Sequence, residues 1–435
     1  MKKINIIIYF IISIPFGIVN AQKVKPISKQ EVIEKVQANN IALKITEQDY
    51  NLAKADFNQS RAVFLPTIGV SYTGITTTSP LMVFGIKLNQ EVVVQNDFVP
   101  DLLNNPERIN NFATKIEVQQ PIINIDGFYK RKAAKIKMGA VNLQGERTKD
   151  YLLFEVEKAY MQLQLAYKGV EVLEKAVVTA MANQKMATNS FEQGYLQKAD
   201  VLAVNVRVTE VKNQLQNAKS NVANASNYLS FLMHEDNSIV LKPSDSLQVV
   251  MVSLEEHLVS ENRSDIKAMQ IATNAYETMM KSDKMAYLPR LNAFGAYEVH
   301  TDKIFTNGAT NYLIGAQLSW TIFEGSKRSG KLQQSKANLE KSKLELEQYI
   351  SKSKLELMKA KRMFSDAENK LNLSKLAKEQ SKESLRIRTN RFQQGLEKTS
   401  DILISETQYA QKQLEYYQTI FEYNYAQAYI HFLTK

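Results

Sequence analysis

Apolar residues recur along this chain with two different periods, and the order in which those periods appear is written twice. Residues 57–74, FNQSRAVFLPTIGVSYTG, read as a helix that runs into Leu65-Pro66 and gives way to a strand. Residues 280–299, MKSDKMAYLPRLNAFGAYEV, repeat the arrangement at Leu288-Pro289. Proline stops a helix because it lacks the next donor and disfavours helical geometry in the residue before it. Each half then offers a second strand, over 110–124 and 310–323, and each of these leads into a very long polar helix.

The strands alternate with period two. In the first, Ile68, Val70 and Tyr72 alternate with Thr67, Gly69, Ser71 and Thr73. In the second, Phe112, Ile116, Val118 and Ile122 share a face, interrupted by Thr114 and Gln120, opposite Ala113, Lys115, Glu117 and Gln119. The third, LNAFGAYEVH, carries Phe294 on its polar side. The last is the clearest: Tyr312, Ile314, Ala316, Leu318, Trp320 and Ile322 oppose Asn311, Gly315, Gln317, Ser319 and Thr321, and only Leu313 breaks the polar side. Apolar outward, small or polar inward, with rings such as Tyr72, Tyr312 and Trp320 at the rims, is the pattern of a strand in a lipid-facing barrel. A single strand of this kind fits a soluble sandwich with one wet face equally well.

The long helices carry a narrower signal. Between Gly325 and Asn390 there is no proline, and no glycine other than Gly325 and Gly330. A continuous helix there would be roughly 100 Å long. Leu332, Leu339 and Leu346, then Ile350, Leu357, Phe364 and Leu371, advance by sevens with one step of four. That is a coiled-coil seam, narrower than the face a globular core demands. The helix is expected to wall something wet.

Both long helices end in near-duplicate stretches, FEQGYLQKADVLAVNVRVTEVK at 191–212 and RFQQGLEKTSDILISETQYAQ at 391–411. Gly194 and Gly395 supply the left-handed residue that closes a helix. Asp200 and Asp401, six positions on, stand where the next helix needs an acceptor for its free N–H groups. Each copy is predicted to be the tip of a helical hairpin, whose second arm ends near Met233 in one half and near the C-terminus in the other.

Composition agrees with long helices: 15 Gly and 9 Pro in 435 residues. The net charge of +10 is spread without a basic run, so a nucleic-acid partner is not expected. MKKINIIIYFIISIPFGIVNAQ has two lysines, an apolar stretch and Val19-Asn20-Ala21 before Gln22, the plan of a secretory signal peptide over 1–21. With no cysteine, neither a disulfide nor a lipid-bearing cysteine holds the mature chain. Past the signal no apolar run reaches about 18 residues, so a membrane can be entered only by strands. Four strands do not close a barrel, and lipid does not tolerate open edges, so the chain must share its barrel with copies of itself. His234, His257, His300 and His431 are scattered, with no nucleophile motif, phosphate loop or metal-ligand cluster, so no catalytic residue, metal or cofactor is expected. Met279-Met280 and the other methionines are read as seam fillers rather than copper ligands.

Taken in order, several features resemble the TolC-like outer-membrane efflux protein family over almost the whole mature chain. They are the duplicated tips, the two Leu-Pro pairs, the strand-to-helix passages VQQPIINIDGF and LSWTIFEGSKR, and ENRSDIKAMQIA at 261–272. The resemblance implies a mainly α chain with a small β part, internally duplicated. It implies a homotrimer in which four strands per chain make a twelve-stranded outer-membrane β-barrel, continued by a long α-helical periplasmic barrel. The implied role is the passive exit duct of a tripartite efflux pump or type I secretion system. The implied partners are a periplasmic adaptor and an inner-membrane transporter of RND, ABC or MFS type.

In such a duct the tips form the periplasmic entrance. Phe191, Gly194, Tyr195, Leu196, Phe392, Gly395, Leu396 and Glu397 are then expected to meet the adaptor. Asp200 and Asp401 either narrow the entrance or only cap helices. The second acidic position found in some relatives is Ile404 here, so an acidic ring would be thin. The expected partition is a first repeat over 22–234 with strands near 66–78 and 110–123 and its tip near 191–200, and a linker over 235–262. The second repeat spans 263–435, with strands near 290–300 and 311–323 and its tip near 391–401. The loop over 76–109 is long for a connection. Its apolar LMVFGIKL either covers the channel mouth or lies in the membrane interface. The competing reading, a periplasmic coiled-coil adaptor or scaffold, needs one hairpin rather than two and has no use for rim aromatics.

Overall fold

A computed structural model describes residues 24–251 and 258–435. The expected signal peptide over 1–21 and His257 lie outside the described residues. Among the described residues two compact units are assembled from interleaved segments: 24–41, 152–251 and 360–432 form one, and 42–151, 258–359 and 433–435 the other. In chain order the elements begin with β1 (Val24–Ile27), α1 (Lys29–Asn39), α2 (Ile41–Gln59), β2 (Thr67–Thr77), α3 (Pro80–Asn89), α4 (Pro100–Asn104) and β3 (Ile109–Ile123). There follow α5 (Ile125–Glu192), α6 (Lys198–Met233), β4 (Val240–Pro243), α7 (Ser264–Met285), β5 (Arg290–Thr301), β6 (Ala309–Ser319), α8 (Lys327–Gln393) and α9 (Thr399–Thr434).

The unit that includes 42–151 and 256–359 carries the four long strands as one antiparallel sheet, in the order β2-β3-β5-β6. Register runs unbroken from Thr67–Gln119 to Thr77–Ile109 and from Arg290–Ser319 to His300–Ala309. A bulge falls between Pro121 and Ile123, past the last β2 partner, where a missing donor on that side does no harm. One face presents Ile68, Val70, Tyr312, Ile314 and Leu318, all exposed, and Val70 and Ile314 are 70% and 79% exposed. The opposite face carries Lys115, Glu117 and Glu298, with Lys115 ion-paired to Glu298 at 3.4 Å.

Two breaks in the alternation have local causes. Phe294 lies on the polar face because its ring packs over Gly315, where an added Cβ would come within 2.6 Å of it. Gln120 interrupts the apolar face because its amide donates to the Phe64 carbonyl at 2.8 Å. Two expected boundaries need correction. β6 ends at Ser319 rather than near residue 323, because Gly325 (φ +59°) turns the chain and the Trp320 indole donates to the Tyr287 carbonyl at 2.9 Å. Helix α2 stops at Gln59, and a tight turn over Ser60–Val63 precedes Leu65-Pro66.

In the other unit, α5 packs along α6 through Leu173, Val211 and Ala218, flanked by Val170, Val177 and Leu215. The distal part of α8 pairs with α9, where the Phe364 and Tyr423 rings lie 5.0 Å apart and Lys370 meets Glu422 at 3.1 Å. β1 and β4 form a small parallel pair, and the Tyr160 hydroxyl donates to the Ile27 carbonyl at 3.1 Å.

The α8 seam is present in full. Leu339 and Leu357 are buried, and Leu332, Leu346, Ile350, Phe364 and Leu371 are half-buried. Ser353, Ala360, Ala367 and Ser374 are buried too, and they continue the line of Leu332, Leu339 and Leu346 by sevens. Four of these eleven seam positions are therefore small side chains, which let paired helices approach closely.

Candidate functional site

Two hairpin tips stand out as the candidate site, and each is built the same way. In the first, the Gly194 N–H donates to the Phe191 carbonyl at 2.9 Å and the Tyr195 N–H to the Ser190 carbonyl at 2.8 Å. In the second, Gly395 donates to Phe392 at 3.0 Å and Leu396 to Arg391 at 2.9 Å. This nested pair of bonds closes a helix on a left-handed residue, and both glycines have positive φ, +80° and +71°. Asp200 stands at the third position of α6 rather than ahead of it, and its Oδ2 accepts the Gln197 N–H at 3.2 Å. The carboxylate thus reaches back over the first turn, where the helix dipole also favours it. Asp401 occupies the same place in α9, half-buried, and among the described residues no hydrogen bond to its carboxylate matches that of Asp200.

The two tips differ in what surrounds the turn. Glu397 is gripped by Arg388 Nη1 at 2.6 Å and by Arg391 Nε at 2.8 Å, and its side chain is only 12% exposed. The matching first-tip positions are Ala187, Ser190 and Leu196, so that turn has no such clamp. Phe392 is buried, whereas Phe191 is exposed and Leu196 half-buried. The residues one past each glycine, Tyr195 and Leu396, are 79% and 62% exposed. Of the eight tip residues picked out by sequence, Phe191, Tyr195 and Leu396 offer free apolar surface, while Phe392 and Glu397 hold the turn.

Above the tips the structure assembles a polar group that the sequence patterns did not reveal. Asn183 on α5 donates to Glu406 Oε1 on α9, and Glu406 shares a small cavity of about 60 Å³ with Arg207 of α6. Both charged side chains are buried, and among the described residues neither Glu406 Oε2 nor Arg207 Nε has a hydrogen-bond partner. Burial pushes the Glu406 carboxyl up to about 7, against the opposing pull of Arg207 and Asn183. The signal was a charge at a seam position. Glu406 falls between the buried Ile402 and Ala410, and Arg207 between the buried Val204 and Val211.

On the sheet, Tyr72 is stacked between Phe305 (4.7 Å) and Phe112 (6.3 Å), and its hydroxyl accepts the Phe305 N–H. Tyr312 is exposed opposite Tyr297 in register, and Trp320 lies just past the end of β6. These three rings are on the apolar side or at its margin. No helix among the described residues is long and apolar enough to cross a membrane.

The sequence model of the family described as "Outer membrane efflux protein" matches residues 32–233 and 257–432. No curated protein matches the chain. Among solved structures, a membrane protein from Pseudomonas aeruginosa superposes with a TM-score of 0.81 at 16% identity, covering 94% of this chain and 93% of that one. The Campylobacter jejuni CmeC outer membrane channel gives 0.80 at 16% identity, covering 93% and 85%. The Vibrio cholerae outer membrane protein VceC gives 0.78 at 15%, covering 93% and 96%. The family match takes in both strand pairs and both tips, and the chain belongs to the outer membrane efflux protein family.

Proposed function

We propose that three copies of this chain form the exit duct of a tripartite pump, a passive conduit from a periplasmic entrance to the cell exterior. One observation carries this: a four-stranded sheet with an exposed apolar face, a charged opposite face and two open edges, on a chain that also carries two helical hairpins. Such a sheet is stable in lipid only when copies close its edges and turn the apolar face outward. The charged face then lines the lumen. The outer membrane is the place of the strands, and the hairpins extend into the periplasm. Passage through such a duct needs no chemistry from the chain, so it acts without catalysis.

The partners follow from the family: a periplasmic adaptor and an inner-membrane transporter. We place the adaptor contact at Phe191, Tyr195 and Leu396, with Gly194 and Gly395 shaping the turns. The support is that these apolar side chains are exposed at hairpin ends, where a monomer gains nothing from them. Between the two aspartates, we assign the entrance role to Asp401 and the helix-capping role to Asp200, because only Asp200 is engaged by a backbone N–H of its own turn. A periplasmic adaptor as the identity of this chain is disfavoured by the paired strands and the second hairpin. Light scattering of the detergent-purified protein tests the assembly. A mass of three chains supports the reading, and a monomer that stays in solution without detergent refutes it.

A further inference from the structure

The segment joining β2 to β3 is not an open loop. Its first helix, α3, contacts β3 and β6 and therefore crosses β5, which lies between them in the sheet. The crossing is on the charged face. Gln90, just past α3, donates to Asn111 Oδ1 at 3.0 Å and to the Asn110 carbonyl at 2.9 Å. Asn311 of β6 donates to the Asn89 carbonyl at 3.4 Å. Asn111 and Asn311 share the face that carries Lys115 and Glu298, and His300 of β5, buried against Asn111 at 3.3 Å, is on it as well. In any barrel that turns its apolar face to lipid, α3 is inside the wall. It cannot be the interfacial helix that its composition also suggested.

Composition then raises a second question, because α3 is apolar on the side away from the sheet as well as on the side toward it. Val83 and Ile86 are buried, but Leu81, Met82 and Leu88 are exposed, and Leu81 is 84% exposed. Leu81 and Leu88 are seven residues apart and lie on the side away from Val83 and Ile86. Gly85 falls between them with nothing within 4 Å of where its Cβ would stand. A helix with apolar residues on opposite faces belongs in a buried place, and a small residue in its centre lets another backbone approach. Inside a lumen the same helix from the neighbouring copies offers an apolar surface of matching shape. Those copies are close at hand, because β6, which α3 touches, is an open edge of the sheet.

We propose that α3 is an outer gate: the α3 helices of neighbouring copies meet through Leu81, Gly85 and Leu88 and close the mouth of the duct. This rests on the duct reading above. Closure is by apolar packing, and widening requires the three helices to part. Lys87 and Asp97, ion-paired at 2.5 Å, tie α3 to the turn that follows it.

The absence of cysteine makes the test direct. Leu88→Cys is introduced, the protein is kept in outer membranes, and copper phenanthroline oxidises any two thiols in reach to a disulfide. In a closed three-fold ring one thiol of each trimer has no partner, so about two thirds of the chain should run as a linked dimer. Ile314→Cys, on the lipid side, should remain monomeric under the same treatment. A second variant, Leu81→Asp/Leu88→Asp, should raise single-channel conductance about twofold or more over wild type. Leu88→Cys protein that forms channels but yields no dimer, with the Asp variant conducting as wild type does, overturns the gate and leaves the duct standing. Failure to form channels in wild type would instead strike at the duct itself.

Discussion

Arg290 at the start of β5 holds Asp126 in the first turn of α5 with a two-pronged ion pair, Nε to Oδ1 at 3.0 Å and Nη2 to Oδ2 at 2.6 Å. The two residues come from different repeats, and the pair joins a strand start to a helix start. Asp126 is almost fully buried, and its backbone carbonyl also accepts the Ser282 hydroxyl at 2.8 Å. Arg290→Ala would leave the carboxylate with Lys130 at 3.4 Å as its remaining cation. Unfolding free energy in detergent is predicted to fall by about 2 kcal/mol, with Arg290→Lys recovering only part because an ammonium lacks the fork. Unchanged denaturation midpoints in both variants would show that the junction is held by packing alone.

Glu406 makes the hairpin unit sensitive to pH. Its carboxyl titrates at about 7 in the folded chain, against an ordinary value of 4.5. Between those values the unfolded chain has lost the proton that the folded chain keeps. The contribution is therefore fully present below about pH 4.5 and is lost as pH rises through 7. It amounts to roughly 3 kcal/mol, and Glu406→Gln should remove the slope and be the more stable protein at pH 8. Thermal melts of both proteins from pH 5 to 8 would check this; parallel curves would mean that Glu406 is ionised throughout.

The clamp at the second tip predicts an asymmetry in local opening. Glu397→Gln weakens both arginine pairs, and hydrogen exchange over 392–399 should speed up several-fold, as expected for the loss of about 1 kcal/mol at a partly exposed site. Exchange over 191–198, which has no such clamp, should stay the same. Equal protection of 392–399 in variant and wild type would show that the nested turn bonds suffice.

The two glycines differ from their surroundings only in backbone geometry. Neither Gly194 nor Gly395 has an atom within 4 Å of a built Cβ, so alanine meets no clash. The penalty is the left-handed conformation alone, about 1–2 kcal/mol, and asparagine should be tolerated better than alanine. Hairpin stability measured for Gly395→Ala and Gly395→Asn orders the two, and equal values would mean that the turn re-forms without a positive φ.

Much of this was legible in the sequence because strand alternation, leucine spacing and the glycine-to-aspartate interval are local signals. The four strands, the α8 seam and both tips follow from them. What was not legible depended on partners distant in sequence. Ser353, Ala360, Ala367 and Ser374 complete the seam as small residues, which hydrophobic patterns do not register. Phe294 broke its strand's alternation for the sake of Gly315, on another strand. The loop helix α3 left two placements open because its apolar residues fit lipid or lumen equally, and the hydrogen bonds that set it on the charged face of the sheet, from Gln90 to Asn111 and from Asn311 to Asn89, join residues distant in sequence. Glu406 and Arg207 look like ordinary helix charges until α5, α6 and α9 are brought together.

The aspartates give a prediction that separates two roles. Asp401→Asn should shift the ion preference of the open duct away from cations, whereas Asp200→Asn should leave ion preference alone and loosen the start of α6. Reversal potentials in a salt gradient check the first statement, and equal values for both variants and wild type would reduce both residues to caps.

The most direct measurement is single-channel recording of the purified mature protein in a planar lipid bilayer. The duct predicts discrete, long-lived conductance steps of one size class from protein that requires detergent to stay in solution. A chain that remains soluble without detergent and produces no steps at any applied voltage would contradict it.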